Sequence, residues 1–499
     1  MGAISSSITH HLLIAEICLE QVFRSWSSKE LGVLEEYQEA IPSSPRTTRI
    51  EQFRSWLRGA LGLDRAIAFT ILARIWSSAA GLITVALIAR FLSPAEQGYY
   101  YTFGSLVALQ IVFELGFSFV ILQMASHERA HLTISTDYVI SGDPRAHARL
   151  ASVLQKSVRW YSIAAVLMAA LLIPAGWYFF TIHQHPGQTA SWHLPWSFAA
   201  LAATLTFQLD PMLSFLEGCG YVAKVARLRF AQAATGSVLA WTALVLHHGL
   251  FAPSMMILGM ALAAIVWLWG RRHLLFGLLK YHPGPQRIHW RKEVWPFQWR
   301  IAISWICGYF IFQLFNPVLF AFKGPVAAGQ MGMSLSLASA LQSVAISWIN
   351  TKAAPFGTMI ARKEYFQLDK LFFQALKQSV AVCIAGAFTI WLGSVYLSWA
   401  HIRFAQRILH PTPLGILLLA TTINIIIFAE ALYLRAHKQE KFLFNSVLGA
   451  LLTGACTYFI GREYGAMGMV MGYLGVTLII GLPLGTYTFM KYRNIWHAD

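Results

Sequence analysis

Twelve apolar runs of about twenty residues each, divided by short polar joints, occupy the chain from Ala66 to Lys491. This one pattern constrains the fold more than any other. A bilayer core of about 30 Å is crossed by a helix of about twenty residues. Backbone in lipid must satisfy its own hydrogen bonds, so only helices and closed barrels can span. The runs show no sustained alternation of apolar and polar residues, which excludes a barrel. Only 12% of the 499 residues are charged, where a soluble domain carries about one quarter. The expected fold class is an all-α polytopic membrane protein. The expected spans are 66–92, 98–123, 161–180, 194–217, 230–246, 251–270, 301–322, 326–348, 380–400, 414–434, 444–460 and 465–491.

Charge sets the expected orientation. Placing the N-terminus inside leaves five Lys or Arg in the outer joints (Arg90, Lys323, Arg403, Arg407 and Arg462) against twenty-five in the inner ones. Cytoplasmic loops are rich in Lys and Arg, so both termini are expected in the cytoplasm and the membrane is read as the bacterial inner membrane. The net charge of +16 is then a mark of topology, and nucleic acid is not an expected partner. Trp192 and Trp196 at one rim, and Trp295 and Trp299 at the other, read as interfacial anchors. Residues 1–65 read as a cytoplasmic extension. Within it Phe53, Trp56, Leu57, Ala60 and Leu61 share one helical face, as in a helix lying on the inner leaflet.

The joint after the first span recurs. FLSPAEQGYYYTFGSL (Phe91–Leu106) aligns without gaps with FKGPVAAGQMGMSLSL (Phe322–Leu337), 231 residues later. Pro94 matches Pro325, and Gly98 matches Gly329. Proline suits the first turn of a helix, where its missing N–H costs nothing. Glu96 near the same end complements the helix dipole, and the glycines permit close backbone approach. The chain therefore divides into a first six-helix bundle (66–270), a basic linker (271–300) and a second six-helix bundle (301–499). Six is even, so both bundles insert the same way round, related by a pseudo-twofold axis along the membrane normal.

The stretch ARFLSPAEQGYYYTFGSLVALQIVFELGF, with its Leu115-Gly116 pair, resembles the first two spans of bacterial polysaccharide transporters and O-antigen translocases. PVAAGQMGMSLSLASALQS resembles their eighth. These belong to the multidrug/oligosaccharidyl-lipid/polysaccharide exporter superfamily, and the resemblance runs from about Ala66 to Arg493. It implies a MATE-like pair of pseudo-symmetric bundles around a central cavity. It also implies transfer of a polyprenyl-diphosphate-linked oligosaccharide (an O-antigen, capsule or exopolysaccharide precursor) between leaflets by alternating access. Residues 1–60 depart from the family pattern.

Ionisable groups inside spans are costly and usually face the interior or a wet cavity. Arg74, Glu114 and Asp210 fall at a similar depth, roughly 12 Å below the inner edge at about 1.5 Å per residue. One reading gives Arg74 a diphosphate headgroup to grip, since its fork of donors matches phosphate. Glu114 or Asp210 then holds Arg74 and exchanges a proton. The other reading is a structural ion pair. Asp210 precedes Pro211, which frees the Phe207 carbonyl and marks a hinge. Arg90 and Lys323, close to the two joints, either attract the sugar-phosphate or merely snorkel. Asn316 reads as a hydrogen-bonding group of the cavity or between helices. Glu430 reads as a coupling group or a partner of Arg435 or Lys438. Gly465, Gly468, Gly472 and Gly475 stripe one face and favour close packing. Together these residues predict a positively lined chamber between matched halves.

His247 and His248 have no third ligand nearby, the five cysteines show no metal spacing, and no Walker, Gly-rich nucleotide or HExxH motif occurs. No cofactor, metal or enzymatic activity is expected. Expected partners are the lipid-linked oligosaccharide, membrane lipids and, in the pathway, a polysaccharide polymerase and glycosyltransferases. A rival reading is a cation-coupled multidrug exporter of the same superfamily. Such exporters often carry an acid in span one, where this chain has Arg74. A third, weaker reading, a membrane-embedded glycan polymerase or glycosyltransferase, suffers from the short outer loops.

Overall fold

The structure, a computed structural model, describes residues 65–135, 140–184, 190–437 and 441–498. The expected in-plane helix at 53–61 lies outside the described residues, as does the side chain of Arg74.

The first half begins with α1 (Arg65–Phe91). Next come α2 (Pro94–Val107), the short α3 (Gln110–Glu114) and α4 (Phe117–Arg129). The half ends with α5 (Pro144–Ile182), α6 (His193–Gly218), α7 (Val222–Val245) and α8 (Ala252–Trp269). A linker helix α9 (Arg272–Lys280) leads to the second half. That half holds α10 (Trp295–Phe312), α11 (Phe315–Asn350), α12 (Ala353–Ala361) and α13 (Tyr365–Trp399). It closes with α14 (Pro411–Ala436), α15 (Leu443–Val476) and α16 (Leu482–Ala498). A small antiparallel ribbon pairs Leu132–Ile134 with Ile140–Gly142 between α4 and α5.

Among the described residues seven helices are long and apolar enough to cross a membrane, eight if α2–α3 and α4 count as one bent span. Two of the seven are far too long for one crossing. The stretch 301–361 has 61 residues and 443–497 has 55, whereas one crossing takes about twenty. Each folds back at a glycine. Gly324 (φ 83°, ψ 172°) lies inside α11 and Gly465 (φ 64°, ψ −145°) inside α15. At Gly465 the return is visible in packing. A Cβ on Gly472 would stand 2.9 Å from the Cβ of Cys456, sixteen residues earlier, a separation of about 24 Å along a straight helix. At Gly324 both arms lie beside α2. Tyr99 packs on Phe320 of the first arm at 4.9 Å between centroids, and Gly332 of the second arm sits under Tyr101. Counted as hairpins, and with α1 and α7 added, the described residues supply twelve legs.

Three local differences from the sequence reading have clear causes. The second span is broken at Leu115 and Gly116, where two residues in succession are left-handed (φ 53° and 65°) and the axis bends by 44°. The fifth leg begins at Val222, not Phe230, so Lys224, Arg227 and Arg229 ride on its first turns. Trp192 and Trp196 are buried at 1% and 0% exposure and do not act as surface anchors. Trp196 fills the notch left by Gly176, donates its indole N–H to the Ile173 carbonyl at 3.2 Å, and packs on Phe103 and Phe180. Trp295 and Trp299 do face outward, at 51% and 38%.

Candidate functional site

The two repeated joints meet. Ser93 caps α2: its hydroxyl accepts from the Glu96 N–H at 3.2 Å, and the Glu96 carboxylate accepts from the Ser93 N–H at 2.8 Å. Pro94 then opens the helix. The opposing Pro325 follows the Gly324 reversal. A Cβ on Gly98 would lie 1.9 Å from the Pro325 carbonyl oxygen, and one on Gly329 would lie 2.9 Å from the Gly98 nitrogen and 3.2 Å from the Pro94 oxygen. The contact is reciprocal, as for a self-complementary surface across a twofold. Buried Gln97 seals it, donating to the Gly329 and Arg407 carbonyls, each at 2.8 Å. Gln330 donates to the Gln406 carbonyl at 3.0 Å. The halves are thus closed against each other at the end where the joints lie.

Below this closure, between the halves, lies a cavity of about 660 Å³. From the first half α2 contributes Tyr100, Tyr101 and Ser105, and α8 contributes Met256 and Ile257. From the second half come Phe312, Gln313, Asn316, Ser336, Ser339, Gln342, Ser343 and Phe428. A polar chain crosses between the halves at the wall. Asn316 donates to the Ser105 hydroxyl at 3.0 Å, and Ser105 donates to the Gln313 side-chain oxygen at 3.3 Å. The Asn316 Oδ1 is buried and has no hydrogen-bond partner. Among the described residues lining this cavity none is charged. The positive chamber expected from the sequence is therefore not what these walls provide. Many of the cations counted along the chain ride on helices, as on α5, α7 and α13, and none is among the described residues of this lining.

The other candidates separate into distinct places. Arg74 stands on α1, its side chain outside the described residues. Glu114 ends α3 at the break in the second span. It accepts a hydrogen bond from Ser118, whose hydroxyl also meets the buried Tyr161 at 3.0 Å. Asp210 interacts electrostatically with Glu114 and with Arg229, as Glu114 does with Arg229. Arg229 in turn pairs with Glu217 at 3.7 Å. This group of two acids and an arginine belongs to the first half and does not line the cavity walls described. Sequence reasoning misses Arg229 because it falls in what reads as the basic loop before the fifth span. Its spacing of five from Lys224 and two from Arg227 gives no periodic sign. α6 runs through Pro211 as one helix.

Arg90 and Lys323 lie exposed at the closed end, away from the cavity. Arg90 sits over the Phe91 ring, and Lys323 donates to the Glu463 carbonyl at 2.9 Å beside the Gly465 reversal. Gly465 is itself the turn, while Gly468 and Gly472 take the close contacts with Ile460 and Cys456. Glu430 is buried, with 4% exposure; one carboxylate oxygen accepts from Thr486 at 2.8 Å, and the other has no hydrogen-bond partner. His247 and His248 border a second hollow of about 720 Å³ beside Glu96 at the closed end. Among the described residues no three His, Cys, Asp or Glu gather to hold a metal.

At the opposite end α5 extends beyond its apolar stretch and grips the linker. Gln155 donates to the carbonyls of Leu278, Leu279 and Tyr281, Lys156 to that of Ile288, and Ser152 accepts from the Ile288 N–H. Arg149 pairs with Glu128 at 2.7 Å and Glu293 at 2.6 Å. Burial alone would raise the Glu293 carboxyl, but bonds from Arg149 and the His289 backbone outweigh it and hold it below the usual carboxylate range.

Two inward-folded halves closed at one end around a polar cavity define an all-α polytopic membrane protein. Its fold is that of the MATE transporters and of the lipid II flippase MurJ. An inward-facing multidrug resistance MATE family transporter of the MOP superfamily superposes with TM-score 0.58 at 13% identity, over 85% of this chain and 99% of that one. The MATE multidrug transporter DinF-BH gives 0.55 at 13%, over 87% and 96%. MurJ in an inward closed conformation gives 0.51 at 14%, over 87% and 90%. No family profile and no curated protein matches the chain.

Proposed function

We propose that this protein is a flippase that carries a polyprenyl-diphosphate-linked oligosaccharide across the bacterial inner membrane by alternating access. The observation that carries the reading is the cavity between the halves, walled by hydroxyls, amides and aromatic rings. Sugars present hydroxyls that both donate and accept, and apolar C–H faces that rest on rings. A lipophilic drug cation would find no carboxylate on the described walls. The reciprocal Pro/Gly contact supplies a closable gate at the outer end. The linker grip supplies a second contact at the inner end, under the inside-terminus orientation that the charge count supports. In this reading Arg74 engages the diphosphate from α1, and Glu114, Asp210 and Arg229 carry coupling in the first half. The second reading, a cation-coupled exporter, draws its support from those same two acids.

The test is leaflet transfer in proteoliposomes. Fluorescently tagged polyprenyl-diphosphate oligosaccharide should become accessible on the far leaflet only when the protein is present. Transport of a fluorescent lipophilic cation with no glycan transfer would replace this reading by the second one.

A further inference from the structure

The charge of the cavity wall bears on which glycan passes. Resting on the flippase reading, we infer that the oligosaccharide accepted between the halves is uncharged, and that the Asn316–Ser105–Gln313 chain is what reads its hydroxyls. The Asn316 Oδ1 is a buried acceptor with no donor, and a buried acceptor left unmatched is costly. It is shut off from the cavity in this closed arrangement, so it meets a ligand donor as the halves part. A neutral sugar hydroxyl provides one and can accept from other wall groups at the same time. A carboxylate of a uronic acid provides none. It would set acceptor against acceptor, and no described lining residue is a cation to offset its lost hydration. A cationic ligand meets the converse difficulty, since the same walls hold no acid. The chain spans both halves, Ser105 on α2 and Asn316 on α11, so a sugar bound there touches the two bodies whose relative movement opens the gate.

Other groups of the wall fit this reading. Ser336, Ser339, Gln342 and Ser343 follow one another along α11 and line the same side. Ser339 and Ser343 are open to the cavity, so a longer side chain there has room to extend.

Two polyprenyl-diphosphate trisaccharides, identical except that one hexose is replaced by the corresponding hexuronic acid, test the inference in proteoliposomes of the full chain. The neutral one should cross at least about tenfold faster, the scale of an unpaired buried charge at a partly wet site. Equal rates, or a faster acidic glycan, would overturn the inference while leaving the flippase reading standing. Transfer of neither would remove that reading and this inference with it. Ser339→Lys and Ser343→Arg should each raise the acidic-to-neutral ratio by about tenfold, by supplying the missing partner. An unchanged ratio in both variants, each inserted at normal levels, would also overturn it. Asn316→Leu should slow the neutral glycan, and Asn316→Gln should restore part of the rate.

Discussion

Gly98 of the first half rests on the carbonyl of Pro325 of the second, so closely that a single Cβ would fall 1.9 Å from the oxygen. The partner glycine Gly329 rests in turn on Pro94 and Gly98. The repeated motif is therefore half of an interface on each copy. A matched pair of such surfaces gives a contact that can form and release as a unit, which suits a gate.

Gly98→Ala should push the joints apart. The added methyl meets backbone, which cannot swing aside as a side chain would, so the closed state should lose about 1–3 kcal/mol. A cysteine placed at Gln330, which bonds to the Gln406 carbonyl here, should then label faster with a water-soluble maleimide. Unchanged labelling in both Gly98→Ala and Gly329→Ala would remove the joint as the gate.

Leu115 and Gly116 hold the break in the second span in left-handed backbone. A leucine there costs about 1 kcal/mol that glycine would not. Leu115→Gly should therefore raise thermal stability or leave it level, despite the loss of a partly buried side chain. Gly116→Ala should lower it clearly, because its Cβ would also meet the Ile301 side chain at 2.4 Å. A Gly116→Ala protein as stable as wild type would show that the break is not fixed by this pair.

The linker grip should weaken in acid. The folded Glu293 carboxyl titrates below its unfolded range. Its contribution is therefore complete above the ordinary carboxylate pKa of about 4.3 and is lost as pH falls through the depressed folded value. Arg149→Ala should weaken this dependence, leaving the part due to the His289 N–H, and cost about 1 kcal/mol or less, since both partners are partly exposed. Melting curves of the detergent-solubilised protein, taken from about pH 3 to about pH 6 so as to bracket the carboxylate range, would read it.

The C-terminal helix carries a second pH signature. Asp369 on α13 accepts from Tyr433 at 3.0 Å and from Arg493, and His497 stands 3.6 Å from it while stacking on Tyr365. Burial depresses His497 most, with Arg493 adding to this and Asp369 opposing it; burial also depresses His437, which stacks on Trp496. A histidine with a lowered folded pKa binds fewer protons when folded. Stability should thus hold above the ordinary imidazole pKa of about 6.5 and fall as pH drops through it. His437→Phe with His497→Gln should flatten that fall. An equally steep fall in the double variant would place the sensitivity elsewhere.

The sequence by itself determined the class of fold, because twelve apolar runs of bilayer length leave the backbone no choice but helices. It also showed the two joints, since proline and glycine act locally and leave a mark in the chain that can be aligned. Only tertiary structure decided what those joints do. Nothing local to Gly98 says that Pro325 will arrive against it, because that contact depends on how two bundles close. The same holds for the cavity. Asn316 was legible as a polar residue in a span, but Ser105 and Gln313 beside it were not, since hydroxyls and amides are common in membrane helices and acquire meaning only through their neighbours. Charges counted along a line predicted a basic chamber. In three dimensions many of the described cations ride on helices such as α5, α7 and α13, and the described residues that line the 660 Å³ cavity are neutral. Composition sums charge over the chain, whereas a ligand meets only the side chains that packing turns toward it.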